Sequence, residues 1–285
     1  MAYGLPVLRL YGVRPDRGED MSIKIWHQSM TELAEHPDYA ATLERHAAAV
    51  LDPSIEIVAH GLRPGTHAGV PPGRTLYSPY AYHVLLRQVI ENFVTAEEEG
   101  YDAVVIGSYS EPFLRDSRSA VNIPIVSMAE STLLTACSIA TYSALVTMSP
   151  QIAWMISRIV QSHGLANRVA AVNFLEPGMD EIALSAAIKE PTEFLGMFSE
   201  AARRGIDRFG DVIVPAEGIM NEILFAHDVK ELDGVSVMDS TAVAWLHAEY
   251  MVKLARATGL HPGRRWDYAQ LDDETMARLR RAGAT

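Results

Sequence analysis

The chain has 285 residues, 48% hydrophobic and 21% charged, as in a soluble globular protein with one large or two smaller domains. A net charge of −12 disfavours a nucleic-acid partner, and the sequence lacks the run of about 18 apolar residues that a membrane span needs. The single cysteine, Cys137, excludes an intrachain disulfide and a cysteine zinc cluster, and it fits a reducing, cytoplasmic location.

Short apolar runs rich in β-branched residues predict two series of strands after an irregular arm at 1–21, which lacks the features of a signal peptide. The first series comprises 23–26, 55–60, 103–108 and 123–128, and the second comprises 143–148, 168–173, 211–215 and 235–238. Helical patterns separate the strands, as at 83–100 and 191–205, each ending in glycine after charged residues. This alternation predicts an α/β fold with parallel sheets flanked by helices.

The second series repeats motifs of the first in the same order. The matching segments are AHGLRPG (59–65) with VNFLEPG (172–178), VVIGSYSEP (104–112) with VIVPAEGIM (212–220), and IVSMAEST (125–132) with SVMDST (236–241). A repeat of this length is too long for a solenoid unit and predicts a duplicated α/β domain.

We therefore predict two pseudosymmetric doubly wound domains. The first covers 22–135 and is completed by a C-terminal helix within 241–285, and the second covers 136–240. Ligands of parallel α/β sheets bind outside the carboxyl ends of the strands. Two such domains facing each other would place their polar loop tips on opposite walls of one cleft.

The duplicated corners, IPIVSMAEST (123–132) and VSVMDSTAVAWLHAEYMVKLA (235–255), resemble the aspartate/glutamate/hydantoin racemase superfamily, which includes arylmalonate decarboxylase and maleate isomerase. The resemblance implies a cofactor-independent enzyme that binds a small molecule between two pseudosymmetric domains, and a homo-oligomer, commonly a dimer. It also implies a cysteine from each domain. One thiolate removes the proton α to a carboxylate or carbonyl, and the other thiol protonates the opposite face.

The sequence departs from that pattern at both cysteine positions. Ser108 stands at the first and Ala216 at the second, while Cys137 lies in an apolar stretch far from both and is interpreted as a packed helix residue. The two-thiol mechanism is therefore absent. Ser108 cannot simply replace a thiolate, because an alkoxide is too basic to form near neutrality without an activating partner.

Glu217 is the leading candidate for acid–base chemistry. It follows the strand break at Pro215 and precedes Gly218, whose missing side chain lets a ligand approach the backbone. Burial in a cleft would raise its pKa and make it a competent acid or base, whereas a solvated loop carboxylate is the alternative. On the opposite wall, Ser108 and Tyr109 are candidates for holding a developing oxyanion.

Other polar residues at the strand ends could bind or react with the substrate. His27 titrates near neutrality and is a candidate acid or base, with a hydrogen-bonded structural histidine as the alternative. Glu111 is interpreted as a first-turn helix residue, and Ser149 is equally a helix cap. No histidine spacing indicates a metal site. The expected substrate-binding residues are Trp26, Gln28, Ser29, His60, Ser110, Thr147, Ser149, Ala216 and Gly218.

The preferred hypothesis is a racemase or isomerase without metal or organic cofactor. It would act α to a carbonyl of a small carboxylate, amide or cyclic ureide, with Glu217 and His27 as the acid–base pair. Two alternatives remain: a hydrolase of amides or lactones, or a decarboxylase, on the same scaffold; and a non-catalytic small-molecule-binding protein.

Overall fold

Two parallel β-sheets form the framework of the protein, and the computed structural model describes residues 22–282. The four strands of the first sheet are β1 (Ile23–Gln28), β2 (Ile55–His60), β3 (Ala103–Ile106) and β4 (Ile125–Ser127). The three strands of the second are β5 (Ser143–Thr147), β6 (Val169–Phe174) and β7 (Val212–Pro215). The predicted α/β fold is confirmed, while the arm expected over 1–21 lies outside the described residues.

The two sheets repeat the same strand order. β1 lies between β2 and β3, with β4 beyond β3, and β5 lies between β6 and β7. Ile25 of β1 is opposite residues of β2 and β3, as Leu145 of β5 is opposite residues of β6 and β7. This repetition supports a duplicated α/β unit, while the predicted domain bounds, 22–135 and 136–240, stay a prediction.

The predicted strand at 235–238 forms only in part. Val235–Ser236 (β9) pairs antiparallel with Glu231–Leu232 (β8), and Val237 makes an isolated parallel bridge to Ile213 of β7. The segment therefore takes the place beside β7 that β4 takes beside β3. It does so with a bridge instead of a full strand.

Helices pack against both sheets, and cap residues set where some of them begin. The predicted helix at 83–100 starts earlier, at Pro79, because the Ser78 side chain accepts from the Ala81 N–H at its N-terminus. The described helices are α1 (Pro37–Val50), α2 (Pro72–Leu76), α3 (Pro79–Glu98), α4 (Leu114–Ala120), α5 (Met128–Ile139), α6 (Pro150–Ser162), α7 (Glu181–Ala187), α8 (Thr192–Ile206), α9 (Gly218–Ala226), α10 (Ser240–Thr258) and α11 (Asp273–Ala282).

The main hydrophobic core is shared by both sheets. Ile25 of β1, Leu145 of β5 and Trp245 of α10 belong to one cluster of buried apolar side chains. α10 packs against β1, β3 and β4 of the first sheet and against α9 beside the second. Cys137 lies on α5, partly buried, as the sequence predicts. In the part of the chain that the structure describes, no helix is long and apolar enough to cross a membrane.

The Gly- and Pro-rich segment 63–73 is held by buried and partly buried hydrogen bonds. The Glu32 carboxylate accepts from the N–H groups of Gly65 (2.6 Å) and His67 (2.8 Å). The His67 ring in turn bonds the Met30 carbonyl through Nε2 at 2.9 Å. The segment leads into α2, whose Pro72 and Leu76 line a cleft between the two sheets.

Candidate active site

The two duplicated corners meet at the carboxyl ends of β3 and β7. A Cβ atom on Gly218 would lie 3.2 Å from the Gly107 carbonyl oxygen and 3.0 Å from the Tyr39 hydroxyl. Such distances are tighter than ordinary contacts, so glycine at 218 lets the corners approach each other. Ser108 and Glu217, one residue to the side of these glycines, therefore face a common cleft and not separate solvent regions.

The cleft between the two sheets has a water-accessible volume of about 40 Å³. Its walls combine hydroxyl groups, apolar side chains and two carboxylates: Ser29, Thr31, Ser108 and Ser110; Met148, Ile152 and Ile219; Glu181 and Glu217. Among the described residues that line it, none is lysine, arginine or histidine. The charged groups at its wall are thus two acids without a cation beside them.

Glu217 is the N-cap of α9, and its Oε2 accepts from the Met220 N–H at 2.7 Å. Burial raises its pKa to about 7, because it outweighs the bonds from the N–H groups that open α9, and the charge of Glu222 adds to the rise. Near neutral pH both protonation states of Glu217 are therefore populated. This is the condition under which a carboxyl group can take up and return a proton.

Glu181 is a cleft residue that sequence reasoning missed. It begins α7 and is only 4% exposed, and its Oε2 has no hydrogen-bond partner among the described residues. Burial and the charge of Glu217 together raise its pKa to about 7, against two backbone N–H bonds that lower it. In sequence Glu181 follows Asp180 at a helix start, a common place for a surface acid, so no local signal marks it.

Two pairs of hydroxyl groups also line the cleft. Ser108 Oγ lies 2.9 Å from Ser110 Oγ and accepts from the Ser110 N–H at 3.2 Å, and Ser29 Oγ lies 2.9 Å from Thr31 Oγ1. No base contacts Ser108 in the described structure, so the serine has no partner that would turn it into a nucleophile. These hydroxyls can instead donate to a carbonyl oxygen.

Tyr109 borders the cleft, but its hydroxyl is bonded inside the core. The hydroxyl contacts Thr132 Oγ1 and donates to Ser240 Oγ at 3.4 Å. Burial raises its pKa well above the ordinary value. The predicted role of Tyr109 as an oxyanion donor through this hydroxyl has no support from this geometry.

His27 is fully buried and lies behind the cleft instead of lining it. Its Nδ1 accepts from Trp245 Nε1 at 3.0 Å, which leaves the proton on Nε2, and a Cβ on Gly107 would overlap the ring. Burial, with the nearby His46 and His60, lowers its pKa to about 3. The ring is therefore neutral near pH 7, and this placement gives no support to pairing it with Glu217.

Three of the expected substrate-binding residues belong to a packed network away from the cleft. The rings of Trp26 and His60 stack with centroids 3.2 Å apart, and Trp26 Nε1 donates to Gln28 Oε1 at 3.1 Å. Asn92 Nδ2 donates to the same oxygen at 2.9 Å. Burial and the charge of Lys24 lower the pKa of His60 to about 4. The structure gives these residues a packing role.

The remaining predicted residues divide between the cleft and its supports. Ser29, Ser110 and Ala216 line the cleft. Thr147 donates to the Ala216 carbonyl at 3.2 Å, and Ser149 caps α6 by accepting from Ile152 N–H at 3.4 Å. Gly218 permits the close contact between the corners. Thr147 and Ser149 thus shape the cleft without facing it.

The interpretation of Glu111 as a first-turn helix residue is wrong, because α4 begins only at Leu114. Glu111 has a φ of 34° and its Oε2 accepts from Ser127 Oγ at 2.6 Å. Its Oε1 pairs with His163 Nε2 at 2.8 Å. This bond raises the pKa of His163. Glu111 therefore joins the first corner to α6.

A charged triad centred on the buried His46 joins elements from both halves of the chain. His46 of α1 lies 2.9 Å from Glu222 of α9 and 2.8 Å from Asp239, the N-cap of α10. Burial lowers the pKa of His46, but the bonds to Asp239 and Glu222 outweigh it and raise the pKa to about 9. The triad therefore holds a protonated histidine. The Phe225 ring stacks on the His46 ring, with the ring centroids 3.8 Å apart.

A family model for Asp/Glu/hydantoin racemases matches residues 37–248. The chain belongs to this family. It is similar to the hydantoin racemase of Pseudomonas sp. (strain NS671), with 27% identity over 186 residues, 65% of this chain and 72% of that protein. It is also 24% identical over 173 residues to the hydantoin racemase of Paenarthrobacter aurescens, covering 60% of this chain and 70% of that protein.

Solved structures share the fold of this racemase-family chain. Allantoin racemase from Klebsiella pneumoniae superposes with a TM-score of 0.67 and 23% identity, covering 88% of this chain and 95% of that one. A mutant of arylmalonate decarboxylase superposes with a TM-score of 0.51 and 16% identity, covering 85% and 96%. The resemblance seen in the sequence is confirmed, and the chain is an enzyme of racemase type.

Within the described residues, no group of three His, Cys, Asp or Glu side chains is placed to hold a metal ion.

Proposed function

We propose that this enzyme moves the proton at a carbon α to a carbonyl in a small uncharged amide or cyclic ureide, with Glu217 as the general base. The observation that carries the proposal is Glu217 itself. It is a partly buried carboxylate with a pKa of about 7, and it lies in a cleft shared with the Ser108 hydroxyl, where the family pattern has thiols that this chain lacks.

The charge of the cleft supports an uncharged substrate. A carboxylate substrate would enter beside Glu181 and Glu217, with no cation among the described lining residues to offset the repulsion. The N–H groups of an amide or ureide can donate to these acids, and its carbonyl can accept from the serine and threonine hydroxyls of the cleft. Two relatives named hydantoin racemase are consistent with this class, since a hydantoin is a cyclic ureide.

The chemical step follows from these positions. The Glu217 carboxylate takes the α-proton, so that the C–H bond breaks, an O–H bond forms and the electron pair moves onto the carbonyl oxygen. Hydroxyls of Ser108 and Ser110 donate to the oxygen as its charge develops. Return of a proton to carbon completes racemisation or isomerisation. No thiol is required, because the pKa of Glu217 already lies near neutrality.

A hydrolase is the second candidate, since the same carboxylate could activate water against an amide carbonyl.

Incubation in D₂O distinguishes proton transfer at carbon from hydrolysis. The probes are 5-methylhydantoin, N-acetylalanine amide and aspartate. We expect deuterium at the α-carbon of 5-methylhydantoin above the uncatalysed rate, and no exchange on aspartate. Release of new acid and amine without exchange would support hydrolysis, and exchange confined to aspartate would refute the uncharged substrate class.

A further inference from the structure

We propose that Glu181 is the second proton-transfer group of this site and shares one exchangeable proton with Glu217. The inference rests on the proposed function and deepens it. Family members are expected to place one thiol on each side of the substrate, and this chain has Ser108 and Ala216 instead. A two-sided proton transfer therefore needs a second group besides Glu217, and the cleft contains one other acid, Glu181, among its described residues.

The surroundings of Glu181 are those of a reacting group and not of a structural one. Its side chain is 4% exposed, and Oε2 has no partner among the described residues. Capping of α7 is already supplied by Asp180, whose Oδ1 accepts from the Ala183 N–H at 2.9 Å. Glu181 is thus not needed to begin its own helix, and it keeps one oxygen free for a ligand.

Gly73 shows how closely the wall of the cleft packs against this carboxyl group. A Cβ on Gly73 would lie 3.0 Å from Glu181 Oε1 and 2.9 Å from Met148 Cε. Both oxygens of Glu181 therefore lie against α2, and Oε2 is buried without a hydrogen-bond partner among the described residues. This arrangement holds the carboxyl group in place and limits its access to water.

The charges facing the pair favour a single shared proton. Glu217 and Asp180 both oppose ionisation of Glu181, and Glu222 opposes ionisation of Glu217. Arg74 follows Gly73 and borders an outer groove with Glu181, but no ion pair joins them in the described structure. Two buried acids in one cleft titrate as a coupled pair, and the first charge disfavours the second. Near pH 7 the pair therefore holds one proton and one negative charge.

Such a pair can perform a two-sided transfer without thiols. The ionised partner takes the substrate α-proton, which breaks the C–H bond and leaves the electron pair on the carbonyl oxygen. The protonated partner then gives its proton to the same carbon. The pair still holds one proton, now on the other glutamate, and its total charge is unchanged. Glu181 and Glu217 reach the cleft from the starts of different helices, α7 and α9, and inversion requires that they face opposite sides of the substrate α-carbon.

The test combines a titration with an assay of one enantiomer. Carboxyl ¹³C NMR of glutamate-labelled protein follows Glu217 in the wild type and in Glu181→Gln, without any substrate. We expect the pKa of Glu217 to fall in Glu181→Gln, because a neutral amide replaces an acid that competes for the proton. In D₂O, Glu181→Gln is expected to retain α-exchange on a single enantiomer of 5-methylhydantoin while inversion falls at least about 100-fold.

An unchanged Glu217 pKa in Glu181→Gln, or inversion within a few-fold of the wild type, would overturn the proposal. Glu190→Gln, an exposed acid shortly after the same helix, is the matched control and should alter neither readout. If Glu181→Gln does not fold, Gly73→Ala serves as the second variant. Its added Cβ crowds Oε1 of Glu181 without removing the acid, so it should shift the Glu181 titration. A wild type without exchange on any probe would refute the proposed function, whereas the titration would still decide whether the proton is shared.

Discussion

Replacing Glu181 with glutamine is expected to stabilise the protein at neutral and alkaline pH. Burial, together with the charge of Glu217, raises its pKa from the ordinary value of 4.5 to about 7. Since the folded-state pKa lies above the unfolded one, ionisation opposes folding. This destabilisation of the folded state is absent below about pH 4.5, grows as the pH rises towards 7 and is complete above pH 7. The difference between 4.5 and about 7 corresponds to about 3 kcal/mol.

Urea unfolding at pH 5 and pH 8 measures this contribution. At pH 5 the two proteins should differ by less than about 1 kcal/mol, because the pH exceeds the ordinary pKa of 4.5 by only half a unit. At pH 8 the free energy of unfolding of Glu181→Gln should exceed that of the wild type by about 2–3 kcal/mol. Glu190→Gln should show no such pH-dependent gain. Destabilisation of Glu181→Gln at pH 8, or an equal effect at both pH values, would refute the assignment of Glu181 as a buried, unpaired acid.

Three further predictions concern the triad, the meeting corners and the pH profile. His46→Gln should lower the free energy of unfolding by about 3 kcal/mol at pH 6. Because the pKa of His46 is raised, that stabilisation is complete below pH 6.5 and lost above about pH 9. An equal loss of unfolding free energy at pH 6 and pH 9.5 in urea would contradict it. Gly107→Ala should destabilise by about 1–3 kcal/mol because its Cβ would overlap the buried His27 ring, whereas Gly196→Ala, with open space in α8, should be neutral or stabilising in thermal melts. The kcat/KM for inversion should peak near pH 7, where the carboxyl pair holds one proton, and a plateau from pH 5 to 9 would argue against it.

The sequence predicts the sheets well because their signals are local. Apolar β-branched runs mark β1 to β7, and the aligned motifs predict a shared cleft, which Ser108 and Glu217 both line. The segment 235–238 is the exception. Its apolar pattern resembles that of a strand, but it pairs with its own antiparallel neighbour and reaches the sheet through one bridge.

The chemistry of individual residues is less predictable, because it depends on contacts between distant segments. His27 follows the same strand-end pattern as Ser29, yet packing by Trp245 and Gly107 buries it and lowers its pKa. Glu181 has the local pattern of a surface acid, but α2, about a hundred residues earlier in the chain, encloses it. Neither environment is visible in the neighbouring sequence.

Exchange of the α-proton of 5-methylhydantoin in D₂O, compared between the wild type and Glu217→Gln, tests the central claim most directly. The wild type should incorporate deuterium faster than buffer alone, and Glu217→Gln should lose at least about 100-fold of that rate while it stays folded. Exchange by Glu217→Gln at the wild-type rate would contradict the claim that this carboxylate moves the proton.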